Sequence, residues 1–184
     1  MREKKIKLIR KCAWEEVFLN WYKNEGEDSH WQDLARERGF ASWADWRLNG
    51  YARRFKCEQA DWGFYEIENA PEIVSHWFGG PFRTWIEKYY AGAKTKSFAE
   101  LAELSSITNL DKVKSMMKDY PKESVITALE LANGKIFVIE GMHRVCALAL
   151  MHKQGKVFSH KLTFALGKSE LAELPSIGQN TSKD

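Results

Sequence analysis

Cysteine is scarce in this chain. Cys12, Cys57 and Cys146 are the only three in 184 residues, and no two stand at CxxC spacing. An odd, scattered set argues against a disulfide scaffold or a cysteine-held zinc site and fits a reducing compartment. No apolar run approaches the roughly 20 residues that a membrane-spanning helix needs. The opening MREKKIKLIRKCAWEE lacks the apolar stretch of a secretion signal. The expectation is a cytoplasmic protein with no membrane partner. Net charge is also small. The formal balance is +3 and charges of both signs are interspersed, so composition creates no strong field for a polyanion. Internal repeats and low-complexity tracts are missing as well.

Tryptophan is absent after Trp85, although all eight lie between Trp14 and Trp85. This shift divides the chain into an aromatic first part and an aliphatic second part. Residues 1–95 read as a mainly helical, tryptophan-rich region, 96–170 as a small sheet-containing region, and 171–184 as a frayed tail. With 44% hydrophobic residues the chain has material for one real core.

In the first part, Trp14, Phe18 and Trp21 recur at helical spacing within 12–23. Ser29-His-Trp-Gln32 has the form of a capping box, with Gly39 closing the helix it starts. Ser42 starts another helix, whose apolar face reads as Ala44, Leu48, Tyr51 and Phe55, with Arg47, Arg53 and Arg54 off it. Asn69-Ala-Pro71-Glu72 opens a helix expected to run to Gly79-Gly80, and Pro81 opens the next, closed by Gly92. In the second part, Ser97 to Glu100 caps a short helix and 109–120 reads as an amphipathic one. VITALEL (125–131) and KIFVIE (135–140) flank Ala132-Asn133-Gly134, a strong hairpin signal. A helix over 143–154 and a strand over 157–166 complete the pattern. The fold class expected is α+β: a helical N-terminal region, then a small mixed β-sheet with packed helices.

The chemistry concentrates in Glu140-Gly-Met-His-Arg144, where a buried strand turns into a helix. Gly141 permits a sharp turn or close backbone approach. The helix start leaves backbone N–H groups free at the positive end of its dipole, which favours phosphate. Arg144 and His143 add donors, and Glu140 is placed to hold Arg144, orient His143 or ligate Mg²⁺. The bland alternative is a tight turn with two solvated first-turn residues.

From Asn109 to Leu166 the order is helix, strand, Asn-Gly turn, strand ending in acid-Gly-x-His-Arg, helix, strand. This resembles the ParB/sulfiredoxin superfamily. The resemblance implies a ParB/sulfiredoxin-like fold and a nucleotide (ATP, ADP or CTP) with Mg²⁺. It implies phosphate contacts from Gly141, Met142, His143 and Arg144, with Glu140 and His143 as catalytic candidates for phosphoryl transfer or nucleotide hydrolysis and Glu140 as the metal ligand. Met142 stands where sulfiredoxins carry their reactive cysteine, which disfavours sulfinic acid reduction, and Cys146 reads as packed. The His-Arg form is similar to the serine-kinase-like branch, which implies a further glutamate, with Glu66 and Glu68 nearest by position. The alternative that the resemblance carries is a ParB-like DNA-binding protein or nuclease with DNA as partner. A third reading is a non-catalytic interaction module.

Several features have plainer readings. HWQDLARERGFASWADWRLNGYARRF has the outline of a helix-turn-helix, but a hairpin packing its tryptophans is favoured. The loop around Gly79-Gly80-Pro81 makes Arg83 a candidate lid residue, against an ordinary helix stop and start. His152 and His160 read as surface residues, Met116 and Met117 as helix packing, and the basic start as a solvated strand. Nothing in the sequence sets an oligomeric state.

Overall fold

The computed structural model describes residues 6–178, and strands occur in both parts of the chain. First come β1 (Ile6–Lys11), α1 (Trp14–Trp21), α2 (Ser29–Glu37), α3 (Trp43–Arg47) and β2 (Asp61–Ile67). Then follow α4 (Ala70–Ser75), β3 (Phe78–Gly79), α5 (Arg83–Lys88), α6 (Phe98–Leu101), α7 (Ser105–Thr108) and α8 (Asp111–Lys118). The chain closes with β4 (Ile126–Glu130), β5 (Ile136–Glu140), α9 (Met142–Lys153) and β6 (Leu162–Lys168). The fold is α+β. Among the described residues no helix is long and apolar enough to cross a membrane.

Local sequence explains many of the boundaries. Gly134 at φ +80° turns the β4–β5 hairpin, whose strands pair antiparallel. Ser97 and Glu100 form the reciprocal capping box of α6. Ser42 caps α3 by accepting from the Asp45 N–H. For α2 the cap is Asp28, one residue before the expected Ser29, with its carboxylate accepting from the His30 N–H.

The sheet is mixed and six-stranded, in the order β1-β2-β6-β4-β5-β3. It crosses the boundary expected at residue 95: β1, β2 and β3 from the first part are interleaved with β4–β6 from the second. β2 is antiparallel to β6 over its whole length, and β6 runs parallel to β4. The register sorts the faces. Trp62, Ala165 and Thr127 share one face, which α1 covers with Trp14 against Trp62 and the Trp21 indole N–H donating to Thr127. On the other face Phe164 meets Trp77, and α9, buried from Val145 to Met151, packs against α4, α6 and α8. A single apolar cluster runs from Trp14 to Ile177.

Two expectations are corrected here. The helix opened at Asn69 ends at Ser75, because Phe78 and Gly79 form β3, pairing parallel with Phe137 and Val138 of β5. The tail is not frayed through 171–178. Leu174 and Ile177 are buried, and Ile177 exchanges backbone hydrogen bonds with Pro81 and Arg83. Residues 179–184 of that expected tail lie outside the described residues, as do Lys4 and Lys5 of the basic start.

Gly79 is a packing requirement of β3. A Cβ there would stand 2.1 Å from the Tyr90 hydroxyl oxygen and 2.9 Å from Met142 Cε. Gly79→Ala is expected to lower stability by about 1–3 kcal/mol, as overpacking in a core does, read as a shifted urea midpoint. An unchanged midpoint would show that β3 is not held as described.

Candidate ligand-binding site at the β5–α9 turn

The apolar strand β5 stops in Glu140, and Gly141 then takes φ +96°, a conformation suited to glycine. A Cβ there would stand 2.8 Å from Arg144 Nη2. α9 starts directly afterwards, and no side chain caps its first N–H groups. Arg144, one turn in, folds back. Its Nη2 donates to both Glu140 oxygens at 2.7 and 2.8 Å, and its Nη1 donates to Ser124 Oγ at 2.5 Å and the Val125 carbonyl at 3.1 Å. The two side chains are only 7% and 13% exposed. Arg144 is therefore a clamp between β5, α9 and the entry to β4. Arg144, expected as a phosphate contact, has both Nη atoms engaged in this clamp while still lining the cavity.

Gly141, Met142, His143 and Arg144 line a cavity of about 710 Å³ between the α9 start and the tryptophan-rich helices. Its far wall comes from two π-type turns, Tyr22–Gly26 after α1 and Leu48–Ala52 after α3. Such turns interrupt the regular helical bonding and often occur at functional sites. The first supplies Asn24, which donates to Glu140 Oε2 at 3.3 Å, and Glu25. Arg47, which stands before the second, donates through Nε to Glu25 Oε1, and the Trp43 indole N–H donates to the same oxygen at 3.0 Å. The Arg47 guanidinium lies 4.1 Å from the Trp46 ring centroid, 4.4 Å from Tyr51 and 5.1 Å from Trp31. Burial works against its charge, but Glu25 and Tyr51 more than offset this and raise its proton affinity.

His143 stands on the opposite wall, its ring centroid 5.1 Å from that of Trp85. Burial, helped by the nearby Lys112 charge, lowers its pKa from the ordinary 6.5 to about 4, so the ring is neutral at pH 7. Among the described residues it makes no hydrogen bond. Burial pushes the Glu140 carboxyl up, against the opposing pull of Arg144. Lys88 of α5 and Lys112 of α8 bring two exposed ammonium groups to the cavity.

The other expected residues fall elsewhere. Arg83 is exposed and off the cavity. The Gly-Gly-Pro segment is no free lid, since β3 is paired and the Tyr90 hydroxyl donates to the Gly80 carbonyl at 2.9 Å. Glu66 and Glu68 pair with Lys161 outside the cavity. His152 and His160 are exposed, and Met116 lines the cavity. Cys146 is fully buried, and burial pushes its thiol up. Among the described residues no cluster of three or more His, Cys, Asp or Glu side chains is placed to hold a metal. Glu140 gives both oxygens to Arg144, so these residues do not fit a protein-held Mg²⁺. The helix-turn-helix outline is a packed hairpin with Arg47 inside it. Sequence reasoning missed Glu25, Arg47, Lys88 and Lys112. The run Trp43-Ala-Asp-Trp46-Arg47, with Gly50 following, was the available signal, because those positions at i, i+3, i+4 and i+7 form the buried face.

No family model, curated protein or solved structure matches this chain. The site therefore rests on its own chemistry.

Two predictions follow from this geometry. Arg144→Ala leaves Glu140 buried without its partner and is expected to cost about 3–5 kcal/mol, read by urea unfolding. A loss below about 1 kcal/mol would match an exposed pair instead. The second concerns pH. Between about 4 and 6.5 the unfolded chain takes a proton at His143 that the folded chain refuses. His143 therefore contributes stability in full above pH 6.5 and loses it as pH falls toward 4, by up to about 3 kcal/mol. Stability profiles of the wild type and His143→Asn should diverge in slope across that window. Parallel profiles would mean that the ring is solvated.

Proposed function

We propose that the chain binds a nucleotide in this cavity, through a ParB/sulfiredoxin-like fold whose phosphate contacts lie at the β5–α9 turn. The observation that carries the reading is a convergence. The uncapped start of α9, two exposed lysines and a set of aromatic rings from the first part of the chain all border one space of about 710 Å³. That volume lies within the range of small-molecule and cofactor sites, roughly 300–1,000 Å³.

The division of labour follows from the side chains. The N–H groups of Met142 and His143 favour anionic oxygens at the positive end of the helix. Lys88 and Lys112 add charge from two other helices. The Glu140–Arg144 clamp acts through position, by fixing where the α9 start points. Aromatic walls, including Trp31 and Trp85, offer faces on which a planar base stacks. Of the two residues expected to be catalytic, His143 is the one with an unengaged ring. With a pKa of about 4 it is a weak base at pH 7, so the reading favoured is binding. Any Mg²⁺ would arrive with the nucleotide phosphates and their waters, since Glu140 is engaged elsewhere.

Calorimetric titration with ATP, ADP, CTP and GTP, each with and without Mg²⁺, tests the proposal. At least one is expected to bind. Lys88→Ala and Lys112→Ala should each weaken that binding about tenfold, near 1.4 kcal/mol, with the melting temperature unchanged. No binding by any of the four would reject the reading, and so would binding indifferent to both lysines.

A further inference from the structure

Phosphate at the α9 start would use the cations of one wall and leave a cation on the other. Arg38, which follows α2, lines the cavity together with Trp46. Its guanidinium lies 4.9 Å from the Trp46 ring centroid. Arg47 shares that indole at 4.1 Å, so two guanidiniums meet one ring. Of the two, only Arg47 has a carboxylate partner, Glu25. Arg38 is half-buried and makes no hydrogen bond or ion pair among the described residues. Its nitrogens are accessible, because the sealed, unpartnered side-chain N and O atoms of the described residues are Trp46 Nε1 and Tyr120 Oη. The charged groups around the cavity follow a sequence of contacts. The Lys112 charge acts on His143 at the α9 start, and Lys88 stands one turn after Trp85, the ring that His143 meets. Then come two matched pairs, Glu140–Arg144 and Glu25–Arg47, joined by Asn24. Arg38 follows at Trp46, on the wall formed by the tryptophan-rich helices. Unmatched positive charge thus borders the cavity on two walls, with neutral pairs between.

We infer that Arg38 holds a second phosphate, so that the nucleotide this cavity selects carries phosphate on both its 5′ and its 3′ side. This inference rests on the nucleotide reading above and names the ligand class within it. A nucleoside 5′-triphosphate concentrates its charge at one end and turns a neutral ribose and base toward the rest of the cavity. A 3′,5′-bisphosphate divides its charge to either side of the ribose, which matches cations on two walls. The two kinds of cation suit this division. An arginine fork engages two oxygens of one phosphate at a time, whereas the lysines act as point charges. A guanidinium already held against an indole loses little freedom when a ligand engages it. Bases stack on aromatic rings with little regard to their identity, so Trp31, Trp46 and Trp85 tolerate several bases while the cations select the phosphate pattern. Two sources supply the same chemistry: a free nucleoside 3′,5′-bisphosphate, or the 5′-phosphorylated end of a single strand, where the 3′ phosphate is a diester.

The test titrates the intact protein by calorimetry under one buffer and salt condition. The ligands are the 5′-monophosphates, 5′-diphosphates and 3′,5′-bisphosphates of adenosine, guanosine, cytidine and uridine. For the base that binds best, the bisphosphate is expected to bind at least about tenfold tighter than the monophosphate. It should exceed the diphosphate, whose similar charge sits at one end, by about the same factor. Arg38→Gln should cut both advantages to less than about threefold. Lys88→Ala should instead weaken monophosphate and bisphosphate alike. The wild-type comparison does not depend on either variant folding. A 5′-phosphorylated dinucleotide separates the two sources. Binding as tight as the bisphosphate identifies a strand end, binding about tenfold weaker identifies the free bisphosphate, and both uphold the second phosphate site. Equal binding of monophosphate and bisphosphate would overturn the inference while leaving the nucleotide site in place. A bisphosphate no tighter than the diphosphate would do the same, because total charge would then explain the gain. An advantage that survives Arg38→Gln would overturn the assignment to Arg38. No binding by any member of the panel would overturn this inference and the nucleotide reading together.

Discussion

The bidentate contact between Glu140 and Arg144 is the constraint on which the geometry of this molecule turns. It joins the last residue of β5 to the first turn of α9 across Gly141. The same guanidinium reaches Ser124 and Val125 at the entrance to β4. One side chain therefore fixes the angle between the hairpin and the helix that covers it. Asn24 extends the tie to the π turn after α1 through Glu140. Without this anchor, the N-terminus of α9 would have no fixed aim.

Two buried ion pairs beside one cavity are costly to form. Each removes two charges from water, and apolar residues of the same size are often as stabilising or more so. Their presence therefore fits a positional role better than a stability role. Glu140 experiences the charges of Glu25 and Arg47 as well as that of Arg144, so the two pairs form one electrostatic unit. Within that unit the carboxylates and guanidiniums are matched, and further positive charge is brought to the cavity by Arg38, Lys88 and Lys112. An anion entering there would meet free charge at Lys88 and Lys112 without having to break the clamp.

What could be read from the chain depended on the range of the interactions involved. The Asn133-Gly134 hairpin, the Ser97–Glu100 box and the glycine-led start of α9 are set by residues within a few positions of each other, and all were legible. β3 was not, because two residues become a strand only when β5 lies beside them. The docked segment around Ile177 was hidden for the same reason: its partners, Pro81 and Arg83, lie far away in sequence. The α3 face was misread through chemistry. Arg47 was placed on the polar side as a charged residue. Three rings and a distant carboxylate make it part of the interior. The candidate site was legible on one wall only. Glu140–Arg144 marked the turn, whereas the opposite wall is assembled from segments about a hundred residues earlier.

That construction has a thermodynamic consequence. The cavity is bordered on one side by α9 and on the other by the tryptophan-rich helices, so a ligand filling it contacts both. The described chain has one apolar cluster spanning both parts, and opening either part would dismantle the site. Any ligand held there binds the folded chain in preference to the unfolded one. It therefore adds stability in proportion to the logarithm of its concentration above its dissociation constant. Glu25 and Asn24 lie on a π turn rather than in a regular helix, a form often associated with function. The wall that sequence reasoning overlooked thus has a double task. It completes the cavity, and through Asn24 it is tied to Glu140 of the clamp.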